Sequence, residues 1–277
     1  MSARSYLWLF LPALALLLLF ILAPAADLLR ASMFDPDFTT EHFARLVTRG
    51  VYIDVMLRTI RVSLIVAVCC TIIGYPIAYF INLQPRSRQT ILLFLILIPM
   101  WMSILIRTFA WIVVLGRDGL LNEALAAVGL IDEPVRMLFT SGAVLAAMVQ
   151  ILLPIQILTC YAAMTEIDFD LIRAARVLGA KPRQALMRVF LPLSLDGTIT
   201  GLVIVFMLSM GFFITPALLG GRQDTMIANL IEFQVQRLNW SFAAALGLVL
   251  LLLTIVMIVL LRGLGRMAAR RILKAGL

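Results

Sequence analysis

Histidine, cysteine and acidic residues are scarce in this chain, and each shortage removes a class of chemistry. His42 is the single histidine, Cys69, Cys70 and Cys160 are the three cysteines, and Asp and Glu together number 15 in 277 residues. His42 lies in a mixed polar stretch with no neighbouring ligand set and is expected to be exposed. The cysteines all fall inside apolar runs, without metal-ligand spacing, and read as small buried hydrophobes. No G-x-x-x-x-G-K-[ST] loop, H-E-x-x-H helix or G-x-S-x-G elbow occurs. With so few groups for acid–base or nucleophilic work, no catalytic residue, metal site or resident cofactor is expected.

Charge is short as well. Only 14% of residues are charged and 63% are hydrophobic, with a mean hydropathy of +1.06, whereas a soluble globular chain carries about a quarter charged residues. The chain therefore reads as a polytopic membrane protein. A formal charge of +8 would suit nucleic acid, but the basic residues are scattered among apolar spans, so no nucleic-acid partner is expected. Membrane topology and contact with lipid explain them better.

At about twenty apolar residues per crossing, six spans are expected. They are Tyr6 to Leu29, Met56 to Leu83, Thr90 to Leu115, Ser141 to Met164, Ser194 to Leu219 and Phe242 to Leu261. A cleaved leader ending near Ala23-Pro24-Ala25 competes for the first, but the apolar run is longer than a usual signal core. Asp35-Pro36-Asp37 signals a turn after it. Pro76 can kink the second span. Leu120 to Val128 is a short amphipathic stretch, and Gly197 with Gly201 has the spacing of a close helix-packing seam. Arg4, Arg86, Arg88, a polar island between the fourth and fifth spans and the basic tail place 13 of the 23 Lys and Arg on one side. That side is read as cytoplasmic, with both termini on it. All 277 residues are expected to form a single transmembrane domain.

The polar island occupies about 166–192. Asp168 and Asp170 suit a helix N-terminus. A short helix is expected to run to about Leu178, where Gly179 ends it and Lys181-Pro182 opens another. Leu171, Ile172, Ala175 and Leu178 share an apolar face, and Arg173, Arg176, Lys181, Arg183 and Arg188 supply positive charge elsewhere. Such a helical hairpin can lie on a lipid surface or plug into a protein groove.

The island resembles the cytoplasmic signature of the permease subunits of type I ABC importers: Glu-Ala-Ala, three residues, Gly, nine residues, Ile-x-Leu-Pro. Here the register gives Arg173-Ala174-Ala175, Gly179 and Val189-Phe190-Leu191-Pro192. Arg173 stands where the family usually has glutamate, and Val189 where it has isoleucine. The runs Gly74-Tyr75-Pro76-Ile77-Ala78-Tyr79, Arg107-Thr108-Phe109-Ala110-Trp111, Gly129-Leu130-Ile131-Asp132, Leu152-Leu153-Pro154 and Phe213-Ile214-Thr215-Pro216 through Gly221 look like the spermidine/putrescine branch of those permeases. The resemblance implies an all-α, six-helix permease fold in a bacterial inner membrane. It also implies that Arg173, Ala174, Ala175, Gly179, Leu191 and Pro192 form the contact with an ATPase subunit. The implied partners are a second homologous permease, two ATPase subunits that use ATP and Mg, and a periplasmic or lipid-anchored solute-binding protein.

Within the spans, Tyr75, Trp101, Arg107, Gln150 and Gln156 are the candidate pathway residues. Span aromatics more often pack, and Arg107 can snorkel to an interface with Trp111 as belt. Buried amides must find partners or face a wet path. The spans hold few acids for a polycation, so polyamine as solute rests on the resemblance alone, with opines, phosphonates or other small amino compounds as alternatives. A stand-alone secondary transporter would ordinarily show embedded ionisable groups or an internal repeat, and neither is clear.

Overall fold

The structure, a computed structural model, describes residues 3–34 and 37–275. The Asp35-Pro36 part of the turn signal lies outside the described residues. The chain runs as a series of helices: α1 (Ala3–Met33), α2 (Glu41–Thr48), α3 (Gly50–Asn82), α4 (Arg86–Trp101), α5 (Ile104–Leu115), α6 (Leu120–Ala127) and α7 (Ser141–Thr165). Then come α8 (Phe169–Val177), α9 (Pro182–Ala185), α10 (Leu191–Met210), α11 (Ile214–Leu219), α12 (Ile227–Gln236) and α13 (Trp240–Ala275).

Among the described residues, five helical segments are long and apolar enough to cross a bilayer: Leu14–Met33, Gly50–Asn82, Ser141–Thr165, Pro182–Met210 and Trp240–Gly265. A sixth crossing exists if α4 and the helices after it count as one, and these are bent by 93° at a short break. Two expected spans break or end early, while α3 and α13 run beyond the expected Met56 and Leu261. The third span is not one rod, because the chain leaves helical geometry at Met102 and Ser103, although α4 itself carries on past Pro99 to Trp101. The fifth ends at Met210 rather than Leu219. Gly211 closes α10 and the remainder forms the separate α11. By contrast, α3 continues through Pro76 without interruption.

The chain divides into two compact units. One comprises Met1–Asp54 with Leu230–Leu252. In it the buried Phe242 ring takes Tyr52 edge-on at 5.4 Å, and the Arg45 guanidinium lies 4.8 Å from its centroid. His42 is half-buried with its ring 6.0 Å from Phe242, where the sequence reading expected exposure.

The other unit comprises Val55–Asn229 with Leu253–Leu277. Its core is the pairing of α7 with α10. Gly197 faces the Ala163 methyl and the Thr159 carbonyl so closely that no Cβ fits, which realises the expected seam. Ala78, Ile81, Ile157, Cys160, Met164, Ile167 and Phe190 form a buried cluster at the hairpin end. The turn from α3 to α4 is tied there by Gln89, whose Nε2 donates to Gln84 O and whose Oε1 accepts from Tyr161 Oη at 2.8 Å. At the other end, Asp224 accepts from Ser141 Oγ and from Gly221 N.

Candidate functional site

The hairpin forms as its residues dictate. Asp168 caps α8, its carboxylate accepting from Asp170 N at 2.9 Å. After α8 the chain turns on Gly179, whose φ of +90° is a region that L side chains adopt at a cost. The Gly179 and Ala180 amides reach back to Arg176 O and Ala175 O, which closes the helix end. Gln184 Oε1 accepts from Lys181 N at 2.9 Å and starts α9.

From α9 the chain passes through a π-helical turn, Leu186–Phe190, directly into α10. The cause is Pro192. It cannot donate to the carbonyl of Arg188, and its ring would crowd that carbonyl in a regular helix. The wider turn relieves this, with Leu191 N bonding Leu186 O. Pro192 is buried and Leu191 half-buried, so the return into the membrane is packed on its inner face.

The hairpin is rooted on one side and bare on the other. Ile172 and Leu186 pack on the buried cluster, and Phe190 meets Tyr79 edge-on at 5.1 Å. A cavity of about 320 Å³ runs between these roots and the end of α3, bordered by Leu83, Arg173 and Arg176. Ala175 is half-buried and Ala174 exposed. The apolar face expected from spacing is thus divided. Ile172 and Ala175 turn inward, Leu171 is half out, and Val177 and Leu178 stand 88% and 87% exposed at the tip. Val177 was missed as part of this tip, and its only sequence signal is its place next to the glycine turn. Arg173 pairs with Asp170 at 2.9 Å with both side chains in the open, a contact worth about 0–1 kcal/mol.

The pathway candidates fall into two groups and a remainder. Tyr75 and Gln156 share a buried polar knot at the crossing of α3, α7 and α10. Tyr75 Oη lies 2.8 Å from Ser194 Oγ, and Gln156 Nε2 donates to Thr198 O at 3.2 Å. The fully buried Gln156 side chain is clasped between Gly74 and Gly201, where an added Cβ would approach it to 3.0 Å and 2.8 Å. Ser194 and Thr198 complete this knot. Sequence reasoning missed them because a hydroxyl in a span most often bonds its own helix, as both also do here. Arg107 and Gln150 line a second cavity with Trp111, whose Nε1 donates to Gln150 Oε1 at 3.3 Å. Trp101 belongs to neither group. It is 73% exposed at the end of α4, edge-on to Phe94.

Apolar spans with a helical hairpin rooted between two of them, its tip bare, mark a multi-pass membrane protein. The chain belongs to the binding-protein-dependent transport system inner membrane component family, whose profile matches residues 70–274. It is 35% identical over 250 residues to the spermidine/putrescine transport system permease protein PotB of Escherichia coli, covering 87% of this chain and 90% of that protein. With PotB of Haemophilus influenzae it is 36% identical over 253 residues, covering 87% of each. Its fold matches a chain of a bacterial alginate ABC transporter crystallised with a pentasaccharide-bound periplasmic protein, with TM-score 0.77 and 19% identity over 96% of both chains. The chain is an inner-membrane, multi-pass permease subunit of an ABC importer.

Proposed function

We propose that the chain forms half of the translocation pathway of an ATP-driven polyamine importer, taking putrescine or spermidine. The observation that carries the solute is its likeness, along most of its length, to permeases named for spermidine and putrescine. The other half of the pathway is a second homologous permease. Two ATPase subunits use ATP and Mg, and a periplasmic or lipid-anchored binding protein delivers the solute. All 277 residues act as one permease domain, with both termini cytoplasmic.

In this reading the hairpin is the coupling element. Val177 and Leu178 are bare and apolar, with Arg173, Arg176, Lys181 and Arg183 around them, which suits a groove with an apolar floor and an acidic rim. Ala174 and Ala175 allow close backbone approach and Gly179 sets the turn. Force on the tip passes through the π-helical turn, Leu191 and Pro192 into α10. The Gly197 seam carries it on to α7, because surfaces in such close contact move together. ATP-driven closure draws the two permeases' hairpins together and rocks the bundles outward-open; hydrolysis reverses the motion.

The test is uptake of labelled putrescine and spermidine by cells lacking the gene and by cells with it restored. Uptake is expected to disappear, return with the gene, and fail when ATP is depleted with the ion gradients held. Unchanged uptake in the deletion, or uptake that survives on an ion gradient alone, overturns the reading.

A further inference from the structure

Arg107 carries a charge that the structure leaves unanswered. It lies on α5, one turn beyond the break from α4. Its Nε and Nη1 are shut off from solvent without a hydrogen-bond partner among the described residues. The adjoining cavity, about 330 Å³, is walled mostly by Pro99, Met102, Ala110, Trp111 and Val114. Gln150 is the other polar side chain there, and its carbonyl oxygen is already taken by the Trp111 indole. A cation with two of its three guanidinium nitrogens cut off from water is held at a cost unless an anion meets it.

The anion is not supplied by the acids that flank the spans of this unit. Asp224 is engaged by Ser141 and the Gly221 amide, and Asp196 is exposed near the hairpin end of α10. A lipid phosphate does not fit either. Gln150 follows Ser141 along α7 by nine residues, which sets the cavity on the order of 13 Å below the helix end. A guanidinium snorkelling to phosphate would also turn both Nη atoms outward, whereas Nη1 is buried here. A polyamine brings only ammonium groups, which Arg107 repels.

We propose that Arg107 pairs with a carboxylate borne by a membrane-spanning helix of the second permease subunit, beside the break between α4 and α5. The occupant fits on three counts: it carries the missing charge, it comes at the depth of a span, and the neighbouring face of α5 is open to it. Leu105, Ile106, Phe109 and Val113 are 47–67% exposed on that helix, which leaves room for a neighbouring helix beside Arg107. The proposal rests on the two-permease reading of the importer.

The test uses the whole importer in its native membrane, with a tag on this chain and recovery of the second permease in mild detergent as readout. Arg107→Lys is expected to keep recovery, Arg107→Gln to lower it several-fold, and Arg107→Glu to lower it tenfold or more. Recovery for Arg107→Glu is expected to return when one Asp or Glu in a spanning helix of the second permease is replaced by Lys, each acid being tried in turn. Should Arg107→Glu be poorly inserted, Arg107→Cys is paired with Cys at each of those acids. A disulfide between the chains, identified by mass spectrometry, supports the pairing, and its absence at every position overturns it. Full recovery with Arg107→Glu overturns the proposal while leaving the importer reading intact. Lost uptake with undiminished recovery also overturns it, since Arg107 then acts in transport and not in holding the second permease. If no second permease is recovered with Arg107 present, both readings fall.

Discussion

Gly179 holds its φ of +90° with nothing within 4 Å of where a Cβ would stand, so a substitution there acts through backbone strain and not through collision. Asparagine tolerates this conformation best. Alanine costs about 1–2 kcal/mol, and a β-branched valine costs more. Uptake per copy is expected to fall in the order Gly179→Asn, Gly179→Ala, Gly179→Val, with ATP hydrolysis persisting as transport is lost. Equal uptake by Gly179→Val and wild type at matched abundance would remove the turn from the coupling path. Gly197 and Gly201 differ in the opposite sense, because there the neighbour decides. The Cβ of Gly197→Ala meets the Ala163 methyl, fixed to its backbone, and the helices must part, costing about 1–3 kcal/mol. Gly201→Ala meets the Gln156 amide instead, a side-chain tip that can give way only by loosening its bond to Thr198 O. The check is thermal unfolding of the purified complex, in which Ala163→Gly is expected to restore Gly197→Ala but not Gly201→Ala.

The hairpin's connection to α10 depends on a single proline. With Pro192→Ala, residue 192 regains an amide that can bond Arg188 O, and the reason for the wide turn disappears. A regular helix through Leu186–Phe190 turns the hairpin against α10 by roughly 100°, one residue of helical register. Spin labels at Arg183 and Leu193, both exposed, are expected to report a changed separation in Pro192→Ala, with uptake reduced and insertion normal. An unchanged separation would show that packing, not the proline, holds the turn. Elements of this kind set the limit of what the sequence discloses. Apolar length marks every crossing, and the Asp168, Gly179 and Lys181-Pro182 signals mark both hairpin helices, because these are local properties of consecutive residues. The break at Met102 and Ser103 and the early end of α10 are not local in that way. Apolarity continues across both, and beyond each the chain packs α5 against α11, where Thr108 and Thr215 are buried side by side at 3.4 Å. The polar knot is likewise invisible in one dimension, since Gln156, Gly74, Gly201 and Thr198 meet only when three helices cross.

For the molecule as a whole, the proposed sidedness rests on charge. Lys and Arg in short loops stay on the side from which a helix inserts, and Arg86, Arg88 and the hairpin's five cations lie near ends of α3, α4 and α7 that the Gln89, Asn82 and Tyr161 contacts bring together, with Phe190 packing the start of α10 beside them. The opposite ends of α3 and α7 are joined instead through Thr59 to Ile227 and Asp224 to Ser141. One end therefore carries these seven cations and the other carries α6 and the loop around Leu130. The native thiols allow this to be read directly, because Cys70 and Cys160 are buried and all three cysteines lie within spans, so background labelling is low. A cysteine at Val177, 88% exposed, is expected to resist a membrane-impermeant maleimide in intact cells and to react once the inner face is opened. A cysteine at Leu130, 69% exposed, is expected to react in the intact cell. The reverse pattern would put the hairpin outside, away from ATP, and no coupling role for it would then survive. Protection of Val177 in opened membranes until the ATPase subunits are stripped away would further assign the bare apolar tip to them, since a lipid-bound hairpin gains no accessibility on their removal.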